Sequence, residues 1–245
     1  NRLTGVAGRL CADSAFLMPA TADMRDKEIG AWISEQRAAN RIPIGINLNA
    51  HALSPVLGHA NQLQQVLSSI AERLDHIARR HALSLLLIPH DFKPESGDIV
   101  MLKMLEKQLH AYGCKYVRYV EIDSPDRVKH VVKQLDLVFT GRMHLAIAAL
   151  GSGTPVLCIT YQDKFEGLYR HFTLPLAHTM QAEDCLNDSL DAKFDAVLAC
   201  RNEVRTLIAS RLPAVLQLAA PNLELHSLVH GVDRHTTRPD QSPRP

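Results

Sequence analysis

The sequence lacks paired cysteines, an excess of charge of either sign, and any long apolar run. Its five cysteines, Cys11, Cys114, Cys158, Cys185 and Cys200, are scattered with no C-x-x-C pair. That excludes a zinc ribbon and a disulfide framework, and it fits a reducing cytoplasm. Lysine plus arginine number 27 against 26 acidic residues, a net charge of +1. No global field therefore draws in nucleic acid or an anionic membrane, nucleic acid is not an expected partner, and any anion site must be local. No stretch approaches the ~18 apolar residues of a membrane span, and no basic segment leads into an apolar one as in a signal peptide. A soluble, cytoplasmic protein is the expectation. There is also no initiating methionine. The chain opens at Asn1 with "NRLTGVAGRLCADSAFLMP", whose short apolar piece at 15–18 has no evident partner, so an upstream portion is expected to be missing.

What is present is a core-forming chain. With 245 residues, 46% of them hydrophobic, it fits one large domain or one domain with appendages. From Pro43 onward short apolar runs alternate with amphipathic patterns, the rhythm of an α/β fold with a Rossmann-like parallel sheet and helices on both faces. Strands are expected at 42–48 (IPIGINL), 82–90 (ALSLLLIPH), 115–121 (KYVRYVE), 136–140 (DLVFT) and 155–160 (PVLCIT). After a loop with Pro55 and Gly58, Leu63, Val66, Leu67, Ile70, Leu74 and Ile77 recur at helical spacing behind a capping Asn61. Ile99, Leu102, Leu105 and Leu109 mark a second helix, ended by Gly113. Ser124-Pro125-Asp126 opens a third, running through Gln134, and MHLAIAALGS reads as a buried fourth. Beyond Pro175 the pattern becomes helical over 183–200 and 202–219. The expected organisation is a lead-in with a connecting helix over 1–40, a Rossmann-like domain over 41–220 and a disordered tail over 221–245.

In an open parallel sheet ligands bind beyond the carboxyl ends of the strands. Arg142 and His144 stand at such an end, after the strand that closes at Thr140. Gly141 is read as allowing a tight turn into a helix whose first amides favour an anion. Arginine offers a planar fork for carboxylate or phosphate, and histidine offers a proton near neutral pH. The plainer alternative is that Arg142 pairs with a nearby carboxylate and His144 fills a helix end. The next strand delivers Tyr161 and Lys164 toward the same rim, as an oxygen-orienting group and a second cation, or as solvated surface.

The combination of "GRMH" (141–144), "ALGSGTPVLCITY" (149–161) and "DK" (163–164) resembles the polysaccharide pyruvyl transferase family. The similarity extends more loosely over 43–176, with "IGINLN" and "IPHD" (88–91), and "CADSAFLMP" (11–19) looks like the end of the family's amino-terminal half. The resemblance implies two Rossmann-like halves facing across a cleft, as in GT-B glycosyltransferases, with this chain holding the carboxyl-terminal half. It also implies transfer of the enolpyruvyl unit of phosphoenolpyruvate onto two sugar hydroxyls, giving a pyruvate ketal and free phosphate. Phosphoenolpyruvate is then a donor substrate, and no cofactor or metal is called for. A lipid-linked acceptor would bring the protein to a membrane surface only peripherally.

On the family pattern Arg142 and His144 contact phosphoenolpyruvate, with the Met143 backbone assisting. The chemistry adds roles: His144 as the acid that protonates the terminal methylene, Lys164 and Tyr161 as further ligand groups, and His90 or Asp91 as the base for the sugar hydroxyl. Where many members carry an arginine just past the first strand of this half, "INLNAH" offers Asn47, Asn49 and His51 instead. Leu145 likewise stands where a small residue often follows the histidine. Two other readings stay open. One is a GT-B glycosyltransferase in which Asp163 or Glu166 holds the ribose of a nucleotide sugar; the other is a non-catalytic sugar- or anion-binding module. His226, His230 and His235 match no metal-site spacing.

Overall fold

A computed structural model describes residues 10–58, 62–93, 97–161 and 164–223. Six strands are formed, β1 (Ile42–Asn47), β2 (Leu83–Leu87), β3 (Val117–Tyr119), β4 (Leu137–Thr140), β5 (Val156–Ile159) and β6 (Thr179–Met180), all parallel in the order β3-β2-β1-β4-β5-β6. The apolar runs are continuous because both faces are covered. Ile44, Ile46, Leu85, Leu87, Leu137, Phe139, Leu157 and Ile159 point into one core. Leu86, Val138, Val156 and Cys158 alternate into the other.

The first core is closed by α3 (Leu63–Arg80), α4 (Asp98–Ala111) and α8 (Asp188–Ala199). The second is closed by α1 (Asp26–Ala38), α5 (Pro125–Val132), α6 (Met143–Leu150), α7 (Lys164–His171) and α9 (Arg201–Ala219). The strand order reverses direction between β1 and β4, so the loops after those two strands diverge and leave a crevice at their carboxyl ends. No helix among the described residues is long and apolar enough to cross a membrane.

The sequence reading needs correction at several places. The second strand ends at Leu87, where 82–90 was expected. The third strand is only Val117–Tyr119, where 115–121 was expected; its flanks Tyr116 and Glu121 are exposed at the sheet edge. The single helix expected over 183–200 divides into a 3-10 turn (Glu183–Leu186) and α8, because the Asn187 side chain accepts from Ser189 N at 2.8 Å and caps a new start. The loop holding Pro55 contains a short helix α2 (Ala50–Leu53), capped by Asn49. Finally, residues 15–18 have partners. Phe16 is 2% exposed and its ring lies 5.7 Å from that of Phe172. Lys129 Nζ donates to the carbonyls of Phe16 (2.8 Å) and Met18 (2.7 Å). The lead-in is thereby stitched onto the α5–α6 side of the sheet. Helix α7 and strand β6 had no counterpart in the sequence reading. Asn61 and residues 224–245 lie outside the described residues.

Gly141 has a different reason from the turn expected of it. Its φ is not in the left-handed region, but a Cβ at this position would overlap the Cβ of Ala52 and come within 2.8 Å of Asn49 Nδ2. Glycine is required by the close approach of α2 to the β4–α6 connection. Gly141→Ala is expected to cost about 1–3 kcal/mol, the usual range for overpacking, as a lowered urea midpoint; an unchanged midpoint would show that α2 is free to move aside.

Candidate functional site

The crevice is built on one buried carboxylate. Asp98, the first residue of α4, is 1% exposed. Its Oδ2 accepts from Asn47 Nδ2 (2.8 Å) and from the amides of His90 (3.0 Å) and Asp91 (3.1 Å). Its Oδ1 accepts from Arg142 Nε (3.0 Å) and Nη2 (2.7 Å). The network closes on itself: Arg142 N donates to Thr140 Oγ1 (2.9 Å), and Thr140 Oγ1 donates to Asn47 Oδ1 (3.2 Å). One acidic side chain thus ties the ends of β1, β2 and β4 to the start of α4.

Arg142 is consequently oriented but not free. Besides Asp98, its Nη2 donates to Asp91 Oδ2 at 3.2 Å, while Nη1 makes no hydrogen bond to a described residue. The carboxylate-paired alternative therefore holds for the Nε–Nη2 edge. Two carboxylates beside one guanidinium leave the cluster with a net formal charge of −1, so anion binding here also needs the helix start. There the amides of Met143, His144 and Leu145 precede the first helical bond, Ala146 N to Arg142 O (3.0 Å), and have no acceptor within α6.

His144 follows on the exposed side. Its side chain is 65% exposed, Asp13 Oδ2 lies 3.8 Å from its Nε2, and its ring centroid is 6.5 Å from that of His90. His90 lies three residues beyond the end of β2 at Leu87, where sequence reading had placed it within the strand, and burial, reinforced by the charge of His144, pushes its pKa down to about 4. It is neutral at pH 7. A cleft of about 640 Å³ opens beside the pair, with Asp13, Ser14 and Lys129 as further polar groups and Leu17, Met18 and Pro125 as apolar walls.

The remaining sequence candidates sit differently. Asn47 is fully buried, its amide shared between Ile88 O (2.9 Å) and Asp98, so it braces the crevice from below. Met143 packs against the second core. Tyr161 is half-buried with its ring 6.4 Å from that of Phe165. Lys164 opens α7, and its side chain lies outside what is described. No set of three or more metal-ligating side chains occurs among the described residues. Asp98 and Asp13 escaped sequence reading. The only sign of Asp98 is an acidic residue following Gly97 at a helix start, a pattern shared by many surface helices.

The depressed pKa of His90 makes stability depend on pH. Between about 4 and the ordinary histidine value near 6.5 the unfolded chain binds more protons than the folded one, so stability rises with pH across that window and is flat above it. At roughly 1.4 kcal/mol per unit the effect is on the order of 3 kcal/mol. Urea unfolding from pH 4 to 7 is expected to show this slope, reduced in His90→Gln; equal slopes in both proteins would contradict the burial of His90.

A family model described as polysaccharide pyruvyl transferase matches residues 2–163. No curated protein matches the chain in sequence. Among solved structures, a putative UDP-N-acetylglucosamine 2-epimerase from Listeria monocytogenes aligns with a TM-score of 0.53 at 16% identity, over 90% of this chain and 52% of its own. Sucrose-phosphate synthase from Thermosynechococcus elongatus aligns with a TM-score of 0.54 at 16% identity, over 95% and 55%. An E. coli trehalose-6-phosphate structure bound with UDP-2-fluoro glucose gives 0.54 at 12%, over 93% and 51%. The chain spans about half the length of each of these neighbours. Its fold is that of one Rossmann-like half of a GT-B-like pair.

Proposed function

The chain belongs to the polysaccharide pyruvyl transferase family, and from that premise we propose that it carries the donor site of a pyruvyl transferase acting in polysaccharide biosynthesis. The donor is phosphoenolpyruvate. The observation that supports this reading is the juxtaposition, at the β1–β4 crevice, of the α6 amides, the Nη1 side of Arg142 and two imidazoles 6.5 Å apart. A small metabolite with a phosphate and a carboxylate needs two separate donor clusters and an acid. The helix start with Arg142 forms one cluster, and Lys164 is assigned to the second.

The step follows from the chemistry of the enol ester. His144 gives a proton to the terminal methylene, which becomes a methyl group and leaves carbon 2 electrophilic. One sugar hydroxyl adds there while a base takes its proton; neutral His90 is assigned that role, with Asp91 next to it. The second hydroxyl then replaces the phosphate, its proton leaving with solvent or phosphate, and a ketal and inorganic phosphate result. The acceptor is a sugar of a polysaccharide or its precursor.

The test is release of inorganic phosphate from phosphoenolpyruvate, with lipid-linked and nucleotide-linked sugars as acceptors, on the full-length protein. Turnover is expected, as is thermal stabilisation by phosphoenolpyruvate alone. Stabilisation by a UDP-sugar and none by phosphoenolpyruvate would instead assign the crevice to a nucleotide-sugar glycosyltransferase. Binding of phosphoenolpyruvate with no phosphate released under any acceptor would leave a binding module.

A further inference from the structure

We infer that Asp13 is a positioning residue for His144, and that the segment around it is the device that delivers it to the cleft. The inference rests on the assignment of His144 to the donor site. Residues 12–18 form a strap that lines the cleft, and the strap is fixed at both ends. Ala12 N donates to Leu218 O (3.1 Å), and Asn222 Nδ2 donates to Ala12 O (2.7 Å). Phe16 is sunk into the second core, and Lys129 Nζ holds two carbonyls behind it. A chain with that many anchors has little freedom to move its side chains relative to α6.

Within the strap Asp13 has its two oxygens committed to different tasks. Oδ1 accepts from Ala15 N at 2.8 Å, capping the 3-10 turn Ser14–Leu17. That bond sets the plane of the carboxylate and leaves Oδ2 turned toward His144 Nε2, 3.8 Å away. The imidazole is exposed, and closing the 3.8 Å gap by less than about 1 Å would bring Nε2–H into hydrogen-bond range. The His90 ring lies 6.5 Å away, centroid to centroid, and Lys129 lines the same cleft but is occupied by the strap carbonyls. The carboxylate therefore holds Nε2–H and stabilises the ring when Nδ1 is protonated as well, so that Nδ1–H is the proton presented to the ligand. A histidine used as an acid gains from such a partner, because orientation and charge are then set before the substrate arrives.

The discriminating variant is Asp13→Ser, which retains a capping oxygen for Ala15 N and removes the one that faces His144. Three readouts are combined on the full chain. In ¹⁵N ring spectra without substrate, the wild-type His144 signal is expected to report the Nε2–H form, and Asp13→Ser is expected to mix the two tautomers. In the phosphate-release assay kcat falls about 10–100-fold, taken from the range for groups that orient metal-bound histidines, with KM for phosphoenolpyruvate within about twofold. In the double variant with His144→Ala, Asp13→Ser causes no further loss, since coupled residues are not additive. Asp13→Glu, which restores a carboxylate, recovers part of kcat. An unchanged tautomer signal, or a loss that adds fully to that of His144→Ala, would overturn the inference. A tautomer change in a protein that never turns over phosphoenolpyruvate would retain Asp13 as the partner of His144 while refuting the donor assignment.

Discussion

Replacing His144 with alanine is expected to lower phosphate release by about 10²–10⁴-fold, the usual contribution of a positioned acid, while leaving the fold intact. The side chain is 65% exposed, and Asp13 Oδ2 lies 3.8 Å from its Nε2. A surface substitution of this kind normally changes stability by no more than about 0.5 kcal/mol. Loss of activity with an unchanged urea midpoint separates a chemical role from a structural one. Retention of full turnover would remove His144 from the mechanism. Arg142→Ala cannot make the same separation, because it also strips the charge partner from a buried carboxylate.

That carboxylate is the subject of the second large effect. Asp98→Ala leaves the Arg142 guanidinium, the Asn47 amide and the backbone amides of His90 and Asp91 without their shared acceptor. Removing one member of a buried ion pair costs roughly 3–5 kcal/mol, a large fraction of the ~5–15 kcal/mol by which a domain is stable. The variant is expected to unfold at far lower urea than wild type or to accumulate insoluble. Asp98→Asn keeps one acceptor oxygen and loses the charge, so it should fall between the two. A midpoint for Asp98→Ala equal to wild type would mean that the network under the crevice does not hold the loops.

The parallel sheet was legible because β1, β2, β4 and β5 are runs of aliphatic residues buried on both faces. Strand β6 was not legible, since two residues carry no periodicity. The crevice was located from a strand ending at Thr140 followed by a glycine and two basic side chains. The network beneath it was hidden because Asp98 lies 44 residues from Arg142 and 51 from Asn47 in sequence, and no local pattern encodes that convergence. The strap was misread for the same reason: Phe16 and Met18 meet Lys129 across more than a hundred residues, so their apolar side chains looked stranded. Arg142 shows the limit most plainly. Its residue type suggested a free anion clamp, whereas Asp91 and Asp98 take one edge of the guanidinium.

The central claim is that the start of α6 and the Nη1 side of Arg142 form the seat of phosphoenolpyruvate. The most direct test is a two-dimensional amide spectrum of the full chain titrated with phosphoenolpyruvate. Saturable shifts concentrated at Gly141, Met143, His144, Leu145 and His90 are the predicted result. Shifts confined to residues distant from the β1–β4 crevice, or none up to millimolar ligand, would contradict it.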